Sequence, residues 1–230
     1  MMAHRIVLFD IDGTLVTTDG AGRRSLEATF EDHYQRSDCL EFSFAGMTDR
    51  LIMQQALETM GEPVLEETVE RLIDAYVERL PEHVAEAPGY RIYEGVPQVL
   101  DEVSTWSQTA VGLGTGNIER GARIKLERGE LNDYFAFGGF GCDAADRAEL
   151  IRAGAHRGAR QLGLDVQECR VLVVGDTARD VHAAHAIGAK CLAVATGSTA
   201  RADLDDAGAD WSVETLADRS VVEILRDGAH

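Results

Sequence analysis

Lysine is almost missing from this chain. Only Lys125 and Lys190 occur in 230 residues, and Arg supplies nearly all the remaining positive charge. Lys and Arg together number 22 against 40 Asp and Glu, a formal net charge of −18. Such a field repels nucleic acid and anionic membranes, so neither is expected as a partner. The Arg bias reads first as genome composition; a salt-rich cytoplasm, in which acidic surfaces stay soluble, is the other source. Cysteine is also scarce. Cys39, Cys142, Cys169 and Cys191 are scattered with no C-x-x-C pair, which argues against both a zinc site and a disulfide framework. Each stands among small or apolar residues, so buried free thiols are expected. No apolar run approaches membrane-spanning length. The first residues, MMAHRIVLFDIDGT, read as a short charged strand and not a signal peptide, so a cytoplasmic protein is expected.

What remains is an ordinary globular composition, 45% apolar and 27% charged. Residues 5–9 form a β-rich apolar run ending in Asp10. Further strands are expected at 109–114, 135–140, 170–174 and 190–196, with a short edge strand at 211–213. Helical spacing appears at 96–106, 118–128, 147–162, 178–187 and 216–225. This alternation predicts an α/β fold, a doubly wound, Rossmann-like parallel sheet with helices on both faces. Residues 20–88 differ: helical patterns at 23–34, 49–59 and 65–80 and no convincing strand. The stretch predicts an all-helical insert, with the core formed by 1–18 and 89–230 and the insert by 19–88.

Three strand ends carry polar motifs. The first is Asp10-Ile11-Asp12-Gly13-Thr14-Leu15, where carboxylates at i and i+2 on an extended chain point to one side. By itself this pattern also fits a turn that merely stops a strand. The second is Val174-Gly175-Asp176-Thr177-Ala178-Arg179-Asp180, in which an acid follows a buried strand and another acid lies one helical turn on. Asp176 or Thr177 would equally serve as a helix cap. Two strand ends presenting carboxylates would repel each other, and a hard divalent cation such as Mg²⁺ resolves that repulsion. The third is Gly114-Thr115-Gly116-Asn117, whose small residues, hydroxyl and helix N-terminal amides favour a phosphate.

In this order and spacing the three motifs resemble the haloacid dehalogenase superfamily, and the phosphoglycolate phosphatase-like capped members in particular. The resemblance covers the whole chain, with the helical insert corresponding to that family's cap. It implies a Mg²⁺-dependent phosphatase acting on a small phosphorylated metabolite such as phosphoglycolate or a sugar phosphate. Asp10 would be the nucleophile and Asp12 the general acid and base. The metal would be held by Asp10, the Asp12 carbonyl and Asp176, with Asp180 ligating directly or through water, the outer role being favoured. Thr115, Gly116 and Asn117 would bind phosphoryl oxygens. The family's usual Lys before the last motif is absent. Arg147 is the nearest cation and takes that role here; Lys125 is the alternative, although Arg123-Ile124-Lys125-Leu126 reads as a turn of surface helix. A phosphomutase on the same fold is the competing function. A dehalogenase is disfavoured by Asp12, and an inactive binding module by the intact acidic set. In the insert, Arg23, Arg24 and Arg50 are candidates for substrate contact or for plain surface charge. The seven histidines form no ligand pattern. A single chain shows no interface from which oligomeric state could be read.

Overall fold

The computed structural model describes residues 4–227; His230 lies outside them. The chain enters as strand β1 (His4–Phe9) and the short β2 (Val16–Thr17). Helices α1 (Ala21–Tyr34), α2 (Asp49–Met60) and α3 (Glu66–Glu86) follow, and β3 (Arg91–Ile92) closes the excursion. The remainder alternates: α4 (Val96–Ser104), β4 (Thr109–Gly114), α5 (Glu119–Glu127), β5 (Gly138–Gly139), α6 (Arg147–Leu162), β6 (Cys169–Gly175), α7 (Ala178–Ala186), β7 (Lys190–Val194), α8 (Arg201–Asp206), β8 (Trp211–Val213) and α9 (Val221–Asp227).

Six strands form one parallel sheet in the order β5-β4-β1-β6-β7-β8. The α/β, doubly wound expectation therefore holds. Alternation along β1 explains the layering. Ile6 and Leu8 pack with Leu150, Ile151 and Val181 on one side. Val7 and Phe9 pack with Val99, Leu100 and Leu225 on the other. Both faces are covered, so the central strand carries a continuous apolar run.

Helices α1–α3 gather a separate apolar cluster that includes Leu26, Phe30, Met53, Leu57, Leu72 and Tyr76. Thr48 caps α2, its hydroxyl accepting from Leu51 N, and Gly61 ends it at φ +75°. The two chain crossings into this segment are joined by β2 and β3, an antiparallel pair with Val16 opposite Ile92. Asp19 Oδ2 accepts a 3.0 Å hydrogen bond from Gly89 N just beyond. Two-residue strands carry no period-2 signal, which is why neither was foreseen.

Other differences have local causes. The strand expected at 135–140 shrinks to Gly138–Gly139, because Phe135 and Phe140 spend their apolar surface in the core without extending the ladder. The helix expected at 65–80 continues through Pro81 to Glu86, carried by the burial of Leu80 and Val84. The helix expected at 216–225 starts only at Val221, after a turn in which Asp218 accepts from Ser220 N. The polar α8 was not anticipated. Cys39 and Cys191 are buried free thiols, but Cys142 is exposed and Cys169 half-buried. Among the described residues no helix is long and apolar enough to cross a membrane.

Sheet and helix come close together at β5 and α6. A Cβ on Gly139 would lie 1.8 Å from the Leu150 carbonyl oxygen and 2.9 Å from Gly154 N. Backbone cannot yield as a flexible side chain would. Gly139→Ala should therefore destabilise the protein by about 1–3 kcal/mol, read as a lower urea midpoint with unchanged m-value.

Candidate active site

The register of β1 places Phe9 opposite Leu113 on β4 and Val174 on β6. The residues that follow these strands thus emerge together at the carboxyl edge of the sheet, where open α/β sheets build their sites. Asp10 N still donates to Val174 O at 2.9 Å, so Asp10 is anchored in the ladder while its side chain leaves it. The chain then turns tightly: the amides of Thr14, Leu15 and Val16 all donate to Ile11 O, with Gly13 at φ +86°.

Asp10, Asp176 and Asp180 converge. Each offers an oxygen, and all three oxygens lie within 4.8 Å of one another. All three residues are buried. Burial and mutual repulsion push the Asp10 carboxyl up to about 6, against the opposing pull of Arg147, and push Asp176 well above the usual carboxylate range. The Asp176 carboxylate also sits in a glycine-lined recess. A Cβ on Gly13 would come within 2.2 Å of its Oδ2, and one on Gly197 within 1.7 Å. Thr14 Oγ1 donates to Asp176 Oδ1 at 3.2 Å. Three converging hard oxygen donors, whose mutual repulsion a single guanidinium offsets only in part, fit a small divalent cation.

Asp180 differs from the other two in its partners. Its Oδ1 accepts from Arg147 Nε at 2.9 Å and Nη2 at 2.6 Å, and its Oδ2 accepts from Thr177 N at 3.0 Å and Thr177 Oγ1 at 2.6 Å. Arg147 is the first residue of α6, after the N-cap Asp146. Its Nη2 also lies 2.9 Å from Asp10 Oδ2, and Nη1 reaches Gly46 O at 3.3 Å. The guanidinium fork thus bridges two of the three carboxylates.

Asp12 stands apart from that trio. Its Oδ2 accepts from Lys125 Nζ at 2.6 Å and Asn117 Nδ2 at 2.8 Å. Asn117 Nδ2 also donates to Thr115 Oγ1 at 2.8 Å, and Lys125 Nζ donates to Asn117 Oδ1 at 2.6 Å. The surface reading of Lys125 is overturned: the residue is only 5% exposed. Ala122 and Leu126 face the core from the same side of α5, and the four-carbon stem carries the ammonium inward to the site. Burial alone would depress its proton affinity, but Asp12, Tyr76 and Asp49 together raise it above the usual lysine range.

Gly116 lies where the insert touches this loop. A Cβ there would be 2.2 Å from Met47 O, and Gly116 O accepts from Asp49 N at 2.9 Å. Asp49 Oδ2 in turn accepts from Ile118 N at 2.9 Å. Burial raises the Asp49 carboxyl to about 6, with Lys125 opposing. Neither Asp49 nor Lys125 was picked out by motif. The available signal was Lys125 as one of two lysines, spaced helically with Ala122 and Leu126. Arg50, by contrast, pairs with Glu66 and Glu70 outside the cavity, Arg24 is tied to Asp19 O, and His185 pairs with Asp210. Arg23 does line the cavity.

Sheet, acidic strand ends and the polar loop beside them have the layout of an enzyme site, and the comparisons give its class as phosphatase. Residues 7–194 match the model of the haloacid dehalogenase-like hydrolases, and the chain belongs to that family. It is 27% identical over 231 residues to a phosphoglycolate phosphatase of Chromobacterium violaceum, covering 97% of each chain. It is 26% identical over 232 residues to the pyrophosphatase PpaX of Bacillus cereus, covering 98% of each. A crystal structure of a hydrolase from Pseudomonas syringae shares the fold, with a TM-score of 0.69 at 19% identity and 97% coverage of both chains.

Proposed function

We propose that the protein is a cytoplasmic, Mg²⁺-dependent phosphomonoester hydrolase that works through an aspartyl-phosphate on Asp10. Its substrate is a small phosphorylated metabolite, of the phosphoglycolate or sugar-phosphate type. The observation that carries the reading is the convergence of three buried carboxylates within 4.8 Å beside the Thr115–Asn117 loop. Asp10 and Asp176 would hold Mg²⁺ with the Asp12 carbonyl. Asp180, whose oxygens are already filled by Arg147 and Thr177, would support the site from outside. When bound, the ion supplies positive charge against the phosphoryl oxygens and relieves the repulsion among the acids.

The chain's own groups do the rest. Asp10 attacks phosphorus as the bond to the leaving oxygen breaks, and Asp12 gives that oxygen its proton. To do so Asp12 exchanges Lys125 and Asn117 for the leaving group. Asp12 then takes a proton from the water that attacks the phospho-aspartate, which frees phosphate and restores Asp10. Thr115, Gly116 and Asn117 bind the oxygens that are not transferred, and Arg147 neutralises the charge beside Asp10. Residues 19–88 act as a cap that excludes bulk water during the first step. The contacts of Gly46 and Asp49 with Arg147 and Gly116 support a closed arrangement.

The test is phosphate release from a panel of phosphomonoesters. Turnover should require added Mg²⁺, vanish with excess chelator and return when Mg²⁺ is restored. Chelator-resistant turnover would remove the metal from this scheme.

A further inference from the structure

The cavity over the carboxylates has a second side that phosphoryl transfer leaves unused. It measures about 470 Å³ and extends to a wall made by Leu26, Phe44, Ile52 and Tyr76 of the helical segment. The leaving group of the substrate must lie here. What it meets is set by charge as much as by shape.

The cations that line this space are already engaged. Lys125 is held by Asp12 and Asn117, and Arg147 by Asp10 and Asp180. Arg23 donates from Nη1 to Leu40 O and from Nη2 to Phe42 O, both at 2.9 Å, and lies 3.8 Å from the Phe44 ring centroid. Its guanidinium is spent on shaping the wall. Asp49 is the opposite case. It lines the cavity and is only 5% exposed, and its Oδ2 is capped by Ile118 N. Among the described residues nothing donates to its Oδ1. A carboxylate oxygen left without a donor in the lining of a cavity is a ready acceptor, and a ligand hydroxyl would pair with it. A second anion brought to the same place would face the Asp49 carboxylate, whose charge Lys125 offsets only in part because the ammonium is shared with Asp12.

We infer that this site selects phosphomonoesters of neutral, hydroxyl-bearing alcohols of the polyol or sugar kind, with one substrate hydroxyl donating to Asp49, and that it discriminates against esters carrying a second anionic group. The inference rests on the phosphatase reading and narrows it. Phosphoglycolate and pyrophosphate, the compounds in the names of the two relatives, both carry such a second anion. So does the bisphosphate that a sugar phosphomutase must retain.

The experiment compares kcat/KM for glycerol 3-phosphate and glucose 6-phosphate with that for 2-phosphoglycolate, pyrophosphate and glucose 1,6-bisphosphate. All are measured with Mg²⁺, with p-nitrophenyl phosphate as a reference lacking both hydroxyl and second anion. The neutral-alcohol esters should be favoured by at least about tenfold over the anionic set. Asp49→Asn keeps an acceptor for Ile118 N while removing the charge, and should raise phosphoglycolate severalfold relative to glycerol 3-phosphate. Asp49→Ala should cost glycerol 3-phosphate about tenfold more than it costs p-nitrophenyl phosphate, the scale of a lost hydrogen bond to a charged acceptor. Equal or better turnover of phosphoglycolate or pyrophosphate would overturn the inference and leave the phosphatase standing. So would an Arg23→Gln variant that lost only the anionic substrates, because Arg23 would then be the anion site. No release from any ester, the p-nitrophenyl one included, would remove both.

Discussion

Asp10→Asn should abolish turnover, with kcat reduced by at least about 10⁴-fold and no phosphoenzyme detectable by mass spectrometry of acid-quenched protein. An amide oxygen is a poor nucleophile, but it still accepts a hydrogen bond. The 2.9 Å contact between Arg147 and Asp10 Oδ2 can therefore persist in the variant. The substitution also removes one of three crowded buried charges, whose repulsion and burial hold the Asp10 carboxyl near 6. Without divalent cation the variant should thus unfold no earlier than the wild type above pH 7, where the wild-type carboxylate is ionised. The sign follows from linkage: an acid whose folded pKa is raised favours the folded state only while protonated, so its ionisation costs stability as pH rises through about 6. Lost activity with retained stability separates chemistry from collapse. Residual turnover with a trapped phosphoenzyme would place the nucleophile elsewhere.

Much of this site was legible because its parts lie at strand ends. Apolar runs ending in Asp10, Gly114 and Gly175 mark buried parallel strands, and a parallel sheet brings its carboxyl edges together whatever lies between them in sequence. Asp10, Thr115 and Asp176 could be placed at one edge before any coordinates. The role that Arg147 plays between two carboxylates was not in the sequence, only its position at the start of a helix. Asp49 was hidden for a related reason, and Lys125, named as the alternative cation, reads as surface for the same one. Both sit on helical elements, where a charged residue ordinarily reads as solvent-facing. Asp49 is buried where the α2 start docks onto the Gly116 loop, and Lys125 lies beside Gly22 and Tyr76 of the insert, tertiary events with no local pattern. The β2–β3 pair escaped in the same way, since two residues per strand give no periodicity. The strands themselves thus follow from local chemistry, whereas their order and the contacts between insert and sheet depend on packing that only the folded chain possesses.

Arg147→Ala should produce the other large effect, and it should be double. The guanidinium lies 2.9 Å from Asp10 and 2.6 Å from Asp180, both nearly inaccessible to water. Among the described residues, removing it leaves Asp10, Asp176 and Asp180 without an ion-paired cation in the metal-free protein. Breaking a buried pair in this way typically costs about 3–5 kcal/mol. Saturating Mg²⁺ should restore much of that loss, because an ion bound only to the folded state stabilises it by mass action. The melting temperature of the variant should therefore depend on Mg²⁺ far more steeply than that of the wild type. Catalysis should not recover in parallel. With Mg²⁺ saturating, kcat should stay at least about 10²-fold low, since the positive charge beside Asp10 is lost. Arg147→Lys should fall between, because an ammonium cannot present the fork that reaches both carboxylates. Lys125→Ala supplies the comparison: its ammonium touches Asp12 and Asn117 but makes no hydrogen bond to the acidic trio. It should impair proton transfer to the leaving group, with least effect on p-nitrophenyl phosphate, whose phenolate departs without help. Near-normal kcat in Arg147→Ala, with Lys125→Ala inactive on every ester, would transfer phosphoryl neutralisation from Arg147 to Lys125.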